Sequence, residues 1–140
     1  MSLKSLLLSL AIVAAGCDPP KPPTTFHEIN SQILQRSCAN FSTCHSVQGA
    51  KDAAKLDLFT DPYKALVNVV STEPDTKAAG LMLVKPSFPD ESLLYLKLNL
   101  PLSATDDGGY EESMPLGNPH LPDYDISGIR TWILMGAPNN

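Results

Sequence analysis

Apolar residues repeat at helical spacing in two parts of the chain, one near each end. The first repeat places four apolar residues on one helical face: Phe26, Ile29, Ile33 and Leu34. Thr25 and Glu28 lie three residues apart and form a capping box, which is typical of a helix start. The pattern therefore predicts a first helix from about Phe26 to Arg36 with one face in the core.

The second repeat lies near the carboxyl end and also has a single apolar face, formed by Ile126, Ile129, Trp132 and Ile133. It predicts a last helix that begins around Asp123. Gly136 is well placed to end this helix, and Pro138 prevents its continuation. The simplest interpretation of Trp132 is a core residue.

A weaker signal for a helix lies in the middle of the chain. Asp61 followed by Pro62 is a helix cap with proline at the first helical position. This pair predicts a short helix that ends near Val69, with Leu66, Val69 and Val70 facing inward. Met82 and Met135 lie in apolar runs, which favours a packing role for both.

The remaining segments are short or irregular. Residues 92–98 predict a third short helix, and residues 81–84 predict a short extended piece. Residues 71–80 are predicted to be a polar loop, and residues 38–60 and 101–122 contain no long periodic run. The fold class is therefore predicted to be all-α, with about four short helices and long irregular loops.

The first 16 residues have the features of an export signal. Lys4 precedes an apolar run from Leu6 to Ala15, which is too short to span a bilayer. The sequence up to Cys17 resembles a bacterial lipobox. That resemblance implies that Cys17 is acylated and that the leader is then cleaved off, which leaves Cys17 as the new N-terminus. The alternative is an ordinary cleavage after Gly16 that leaves a free thiol on Cys17.

The chain is therefore predicted to have three parts. Residues 1–16 form a lipoprotein signal peptide, and residues 17–25 form the acylated cysteine and a stiff proline-rich linker. Residues 26–140 form one domain, because the length allows a single core. The loops hold few apolar residues, and a domain built this way usually needs a disulfide, a metal or a cofactor.

Charge and composition exclude some classes of partner. The chain has 10 basic and 15 acidic residues, a net charge of −5, and no basic run. Phosphate groups would be repelled, so nucleic acid is not an expected ligand. Aromatic residues make up only 6% of the chain, so platforms that stack on bases are scarce as well.

The residues that carry chemistry follow the first helix directly. Cys38 and Cys44 are separated by five residues, and His45 follows the second cysteine. A cysteine pair that ends in Cys-His resembles the c-type haem attachment motif. That motif usually has two residues between the cysteines. Because the haem vinyl groups are a fixed distance apart, the three additional residues are expected to bulge outward.

Several segments in order strengthen this resemblance. The chain resembles a class I cytochrome c domain of the planctomycete and myxobacterial lipoprotein type over roughly residues 26–138. The matching segments are Ile33-Leu34, Cys44-His45, Leu56-Asp57-Leu58, Leu66-Val67, Pro89 to Leu94, Met114 to Gly117, and Ile129 to Ala137.

The resemblance implies one covalent haem c and a crossing of the first and last helices. Cys38 and Cys44 would form its thioether links. His45 would be the proximal iron ligand and Met114 the distal one, with His120 as the second candidate for the distal position. With both axial positions filled by the protein, an enzyme is not expected.

Other interpretations of the cysteines remain open. A disulfide between Cys38 and Cys44 would stabilise the fold by roughly 2 kcal/mol on the chain-entropy model. The domain would then be a haem-free, disulfide-stapled envelope lipoprotein used for binding or structure. A zinc or copper site that includes His45 is a third reading, although no fourth ligand is evident.

The predicted function is single-electron transfer in the bacterial cell envelope. The domain would be lipid-anchored, would face the periplasm or the exterior, and would meet redox partner proteins. An acidic loop before Met114, formed by Asp106, Asp107, Glu111 and Glu112, is either a solvated loop or a rim that steers a basic docking face. Calcium binding by this loop lacks a recognisable ligand spacing.

Overall fold

Two helices near the ends of the chain form the core, as their apolar repeats predict. The computed structural model describes residues 20–99, 113–117 and 119–140, so Cys17, the predicted leader and the acidic loop lie outside the described residues. The core is made of wholly buried side chains from both helices, among them Ile29, Ile33, Ile129 and Ile133. Within the described residues the only β-pairings are isolated bridges, which agrees with an all-α class.

The first helix begins as an α-helix, Phe26–Ile29, here α1. Thr25 caps it, and both hydrogen bonds of the capping box are present. The helix then continues without a break as a π-helix over Asn30–Cys38, two residues beyond the predicted end. A π-helix holds more residues per turn, so it rotates less per residue. Both Ile33 and Leu34 can therefore face the core.

The second helix is shorter than predicted. α2 covers Pro62–Leu66, and the Asp61 carboxylate caps it by accepting a hydrogen bond from the Lys64 amide. The chain then becomes extended, and Val67 forms an isolated bridge with Val84. The prediction that Val70 faces inward is wrong, because the side chain is 46% exposed. Helical spacing does not apply once the helix has ended.

A further helix replaces part of the predicted polar loop. α3 covers Pro74–Ala78, with proline in its first turn. Its anchor is polar, because the buried hydroxyl of Thr76 donates to the Ser71 hydroxyl at 2.6 Å. The predicted extended piece over residues 81–84 is present, since Met82 forms bridges with both Val70 and Ser92.

The last helices agree closely with the predictions. After a 3₁₀ turn at Pro89–Glu91, α4 covers Leu93–Asn99, and α5 covers Asp123–Leu134. Gly136 has a φ of +91°, in the left-handed region that favours glycine after a helix. α4 packs against α5. The prediction that Met135 packs inside is wrong, because this side chain is 55% exposed beyond the end of α5.

The two ends of the described chain close over the core. Trp132 is wholly buried, and its ring centroid lies 5.5 Å from that of Phe26. The His27 amide donates to the carbonyl of Asn140 at 2.9 Å. Pro23 is buried against Gly128, in the middle of α5. The first and last helices are therefore held together at the end of the molecule where the chain enters the domain.

Candidate cofactor site

The chain reverses direction between Cys38 and His45. The His45 amide donates to the Cys38 carbonyl at 2.9 Å, and the Cys44 amide donates to the Phe41 carbonyl at 3.1 Å. The residues from Asn40 to Thr43 are exposed. Four of the five intervening residues therefore loop into solvent, Ala39 stays buried in the core, and the backbones of the two cysteine positions stay adjacent. This is the outward bulge that the wide cysteine spacing requires.

Gly49 packs against the Cys44 backbone in this chain reversal. No signal in the sequence marks it as part of the site. A Cβ placed on Gly49 would lie 2.0 Å from the Cys44 carbonyl oxygen and 2.7 Å from the Cys44 nitrogen. Its amide donates to the Ser46 hydroxyl at 3.1 Å, which keeps the following turn tight. Only a residue without a side chain fits this close to the Cys44 backbone.

The His45 ring is held by the loop that follows it. Its Nδ1 lies 3.2 Å from the carbonyl oxygen of Leu56, and its own carbonyl accepts from the Leu58 amide at 2.8 Å. Burial lowers the pKa of His45, and the nearby charge of Lys97 lowers it further. The ring is therefore neutral at pH 7. A hydrogen on Nδ1 leaves the lone pair of Nε2 available to a metal, as is usual for a ligating histidine.

Met114, the predicted distal ligand, is held by a backbone hydrogen bond to α4. Its amide donates to the Lys97 carbonyl at 3.0 Å, which ties the loop before α5 to α4. The side chain is half-buried and packs against the core, and the peptide bond between Met114 and Pro115 is cis. His120, the second candidate for the distal position, has its Nδ1 3.0 Å from the carbonyl of Leu121.

One cavity brings four of the predicted site residues together. It has a volume of about 820 Å³ and a mostly apolar lining, within the usual range for cofactor pockets. Cys38, Cys44, His45 and Met114 all line it, whereas His120 does not. The apolar part of the wall comes from α2, α4 and the extended segments, chiefly Leu56, Leu58, Leu66, Leu83, Leu94 and Leu98. The loops, which hold few apolar residues for their length, thus line a pocket.

Both cysteines of the motif are free thiols. Burial, and to a lesser extent the neighbouring Cys44, raise the pKa of the Cys38 thiol to about 12. Cys38 is therefore a neutral thiol at pH 7 rather than a thiolate. Within the described residues there is no group of three or more histidine, cysteine or acidic side chains that could hold a metal ion.

Comparison of the chain with family models, curated proteins and solved structures found no match. Among residues 20–99, 113–117 and 119–140, no helix has both the length and the apolar character needed to cross a membrane. The geometry of the cavity is thus the observation from which a function can be argued.

Proposed function

We propose that this chain is a membrane-anchored c-type cytochrome that carries single electrons through a covalently bound haem. The observation that carries the proposal is that Cys38, Cys44, His45 and Met114 line one cavity of about 820 Å³. These are two thiols, a neutral imidazole and a thioether, which is the set of groups that a covalent haem with two axial ligands needs. The residues present therefore fit this group.

Each of these side chains has a role that its surroundings support. Cys38 and Cys44 would hold the haem, because the chain reversal keeps their backbones adjacent. His45 would bind the iron through Nε2, since its other ring nitrogen is engaged by the Leu56 carbonyl. When bound, the haem supplies a one-electron couple.

Met114 and the apolar wall would set the properties of that couple. A thioether is a soft, neutral ligand that favours ferrous iron and so keeps the potential high. Leucines such as Leu66 and Leu98 are almost wholly buried and exclude water from the cavity wall. With His45 and Met114 both holding the iron, no position on it would be open to a substrate, so we infer an electron carrier rather than an enzyme.

We also propose that the domain is held in the bacterial cell envelope by lipid on Cys17, facing the periplasm or the exterior. The support is the lipobox-like leader before Cys17 and the proline-rich segment after it. The net charge of −5 favours a redox partner with a basic docking face. Mass spectrometry of the membrane fraction should find an acylated N-terminal cysteine. A mature protein that begins with unmodified Cys17 would contradict the anchor.

The test of the central proposal is an absorbance spectrum of protein matured in a host that assembles c-type cytochromes. We expect haem bands that stay with the polypeptide after denaturation. The control is the double variant Cys38→Ala, Cys44→Ala, which should keep no haem after denaturation. Wild-type protein without haem would refute the proposal.

The alternative is a haem-free envelope module closed by a disulfide between Cys38 and Cys44. The hydrogen bond between His45 and Cys38 favours it as well, because it keeps the two cysteine positions adjacent. Thiol titration of the purified protein separates the two functions. A disulfide in protein that has matured without haem would establish the alternative, whereas thioether links to haem would exclude it.

A further inference from the structure

Lys97 is a basic residue in the wall of the cavity. It lies on α4, is half-buried, and lines the same cavity as His45 and Met114. Its carbonyl oxygen accepts the hydrogen bond from the Met114 amide at 3.0 Å. The backbone of Lys97 is therefore fixed beside one of the proposed iron ligands.

The other basic residues of the wall differ from Lys97. Lys64 forms an ion pair with Asp61 at 3.0 Å, and its side chain is 84% exposed. Lys55 is also exposed. Lys97 has no ion pair within the described part of the chain and lies deeper than the other two. A lysine that lines an apolar cavity without an ion-pair partner is available to pair with an anion bound there.

We propose that Lys97 pairs with a propionate carboxylate of the haem and so orients it in the cavity. This inference rests on the proposed function, because haem is the occupant that supplies a carboxylate on an apolar body. Lys97 would act as a positioning residue, since its contact is with the edge of the haem and not with the iron. Its positive charge would also favour the ferrous state, which carries one positive charge fewer.

Replacement of Lys97 should change the midpoint potential of the bound haem, which a purely structural role of this residue would leave unchanged. Lys97→Gln removes the charge, and we expect the midpoint potential of the bound haem to fall. Lys97→Arg keeps the charge and should restore the wild-type potential. The matched control is Lys77→Gln, which removes the same charge from an exposed position on α3 outside the cavity and should leave the potential unchanged.

The results separate this inference from the function on which it rests. Haem-loaded wild type with no fall in potential in Lys97→Gln would overturn the role of Lys97 and leave the cytochrome proposal standing. An equal fall in Lys77→Gln would also overturn it, because the effect would then be one of total charge. Wild type without haem would overturn both.

A second measurement tests the carboxylate directly. The double variant Cys38→Ala, Cys44→Ala should bind haem without covalent links, so free haem can be compared with its dimethyl ester, which has no charged propionate. A hydrogen bond to a charged group contributes roughly 1.5 kcal/mol, so we expect about tenfold tighter binding of the acid. Adding Lys97→Gln should abolish that preference. Equal affinity for acid and ester before the lysine is changed would refute the pairing.

Discussion

Gly49→Ala is the sharpest test of the chain reversal that forms the site. The new Cβ would lie 2.0 Å from the Cys44 carbonyl oxygen, 2.7 Å from the Cys44 nitrogen and 2.8 Å from the Ser42 carbonyl oxygen. All three obstacles are backbone atoms, so no side chain can rotate away. To reach a tolerable contact of about 3 Å, the two segments must separate by about 1 Å.

A separation of that size would affect both stability and the site. Overpacking costs about 1–3 kcal/mol, and we expect a value at the upper end because backbone has to move. The hydrogen bond from His45 to the Cys38 carbonyl is 2.9 Å long. An extension by about 1 Å would break it. The two cysteine positions would then no longer be held adjacent, so the yield of covalent haem should fall.

The assay combines urea unfolding with the amount of haem that remains bound after denaturation. Gly128→Ala is the matched control, because its Cβ would lie 2.3 Å from the Pro23 carbonyl oxygen, away from the cavity. Both variants should lose stability, but only Gly49→Ala should lose covalent haem out of proportion to folded protein. The reasoning fails if Gly49→Ala keeps the wild-type haem yield, or if Gly128→Ala lowers it equally.

Three further predictions test the core, the distal ligand and the first helix. Ile129→Ala should cost about 2–5 kcal/mol in chemical unfolding because the side chain is wholly buried, and a loss below about 1 kcal/mol would contradict the helix crossing. Met114→Ala should leave haem attached but lower its potential and admit exogenous ligands, and an unchanged potential would transfer the distal role to His120. Hydrogen bonds from the amides of Thr24 and Thr25 lower the pKa of Glu28 below its usual 4.5, so its charge stabilises the fold above that pH and the stabilisation is lost as the pH falls. Stability of Glu28→Gln measured against pH should therefore fall below wild type at pH 7 and converge with it in acid, and a gap that persists at pH 2 would show that the charge is not responsible.

The parts of the fold that could be predicted are those with a continuous apolar face. Ile29, Ile33, Ile129 and Ile133 are wholly buried because their spacing matches the turn of the helix that carries them. α3 has no such face, since Thr76 anchors it through a hydrogen bond to another hydroxyl. Because a single polar contact produces no apolar periodicity in the sequence, the pattern predicts a loop where α3 forms.

Errors in the middle of the chain have a common physical cause. The apolar pattern predicts a helical face that reaches Val70, whereas α2 ends at Leu66. Asn68 then adopts a φ of +59°, and the chain continues in an extended form. A change of backbone conformation alters the side-chain period, and a sequence of small apolar residues does not show where that change occurs.

Some residues of the candidate site could also be predicted from the sequence, and others could not. Cys38, Cys44, His45 and Met114 could be selected as candidates from the sequence, and the structure places all four in the wall of one cavity. Gly49 and Lys97 could not be selected, because their importance depends on what lies next to them in the fold. A glycine in a polar segment and a lysine on a short helix have ordinary roles in most sequences, namely flexibility and solvation.

Cys38 and Cys44 line the same cavity although five residues separate them in the sequence. What a bifunctional ligand requires is that the two thiols be adjacent in space. Here the hydrogen bond from His45 to the Cys38 carbonyl and the close contact of Gly49 with the Cys44 backbone keep the two positions adjacent. The five residues between them lie largely in solvent and carry little of that constraint. Shortening the exposed loop at residues 40–43 should therefore preserve the yield of covalent haem, whereas Gly49→Ala should lower it.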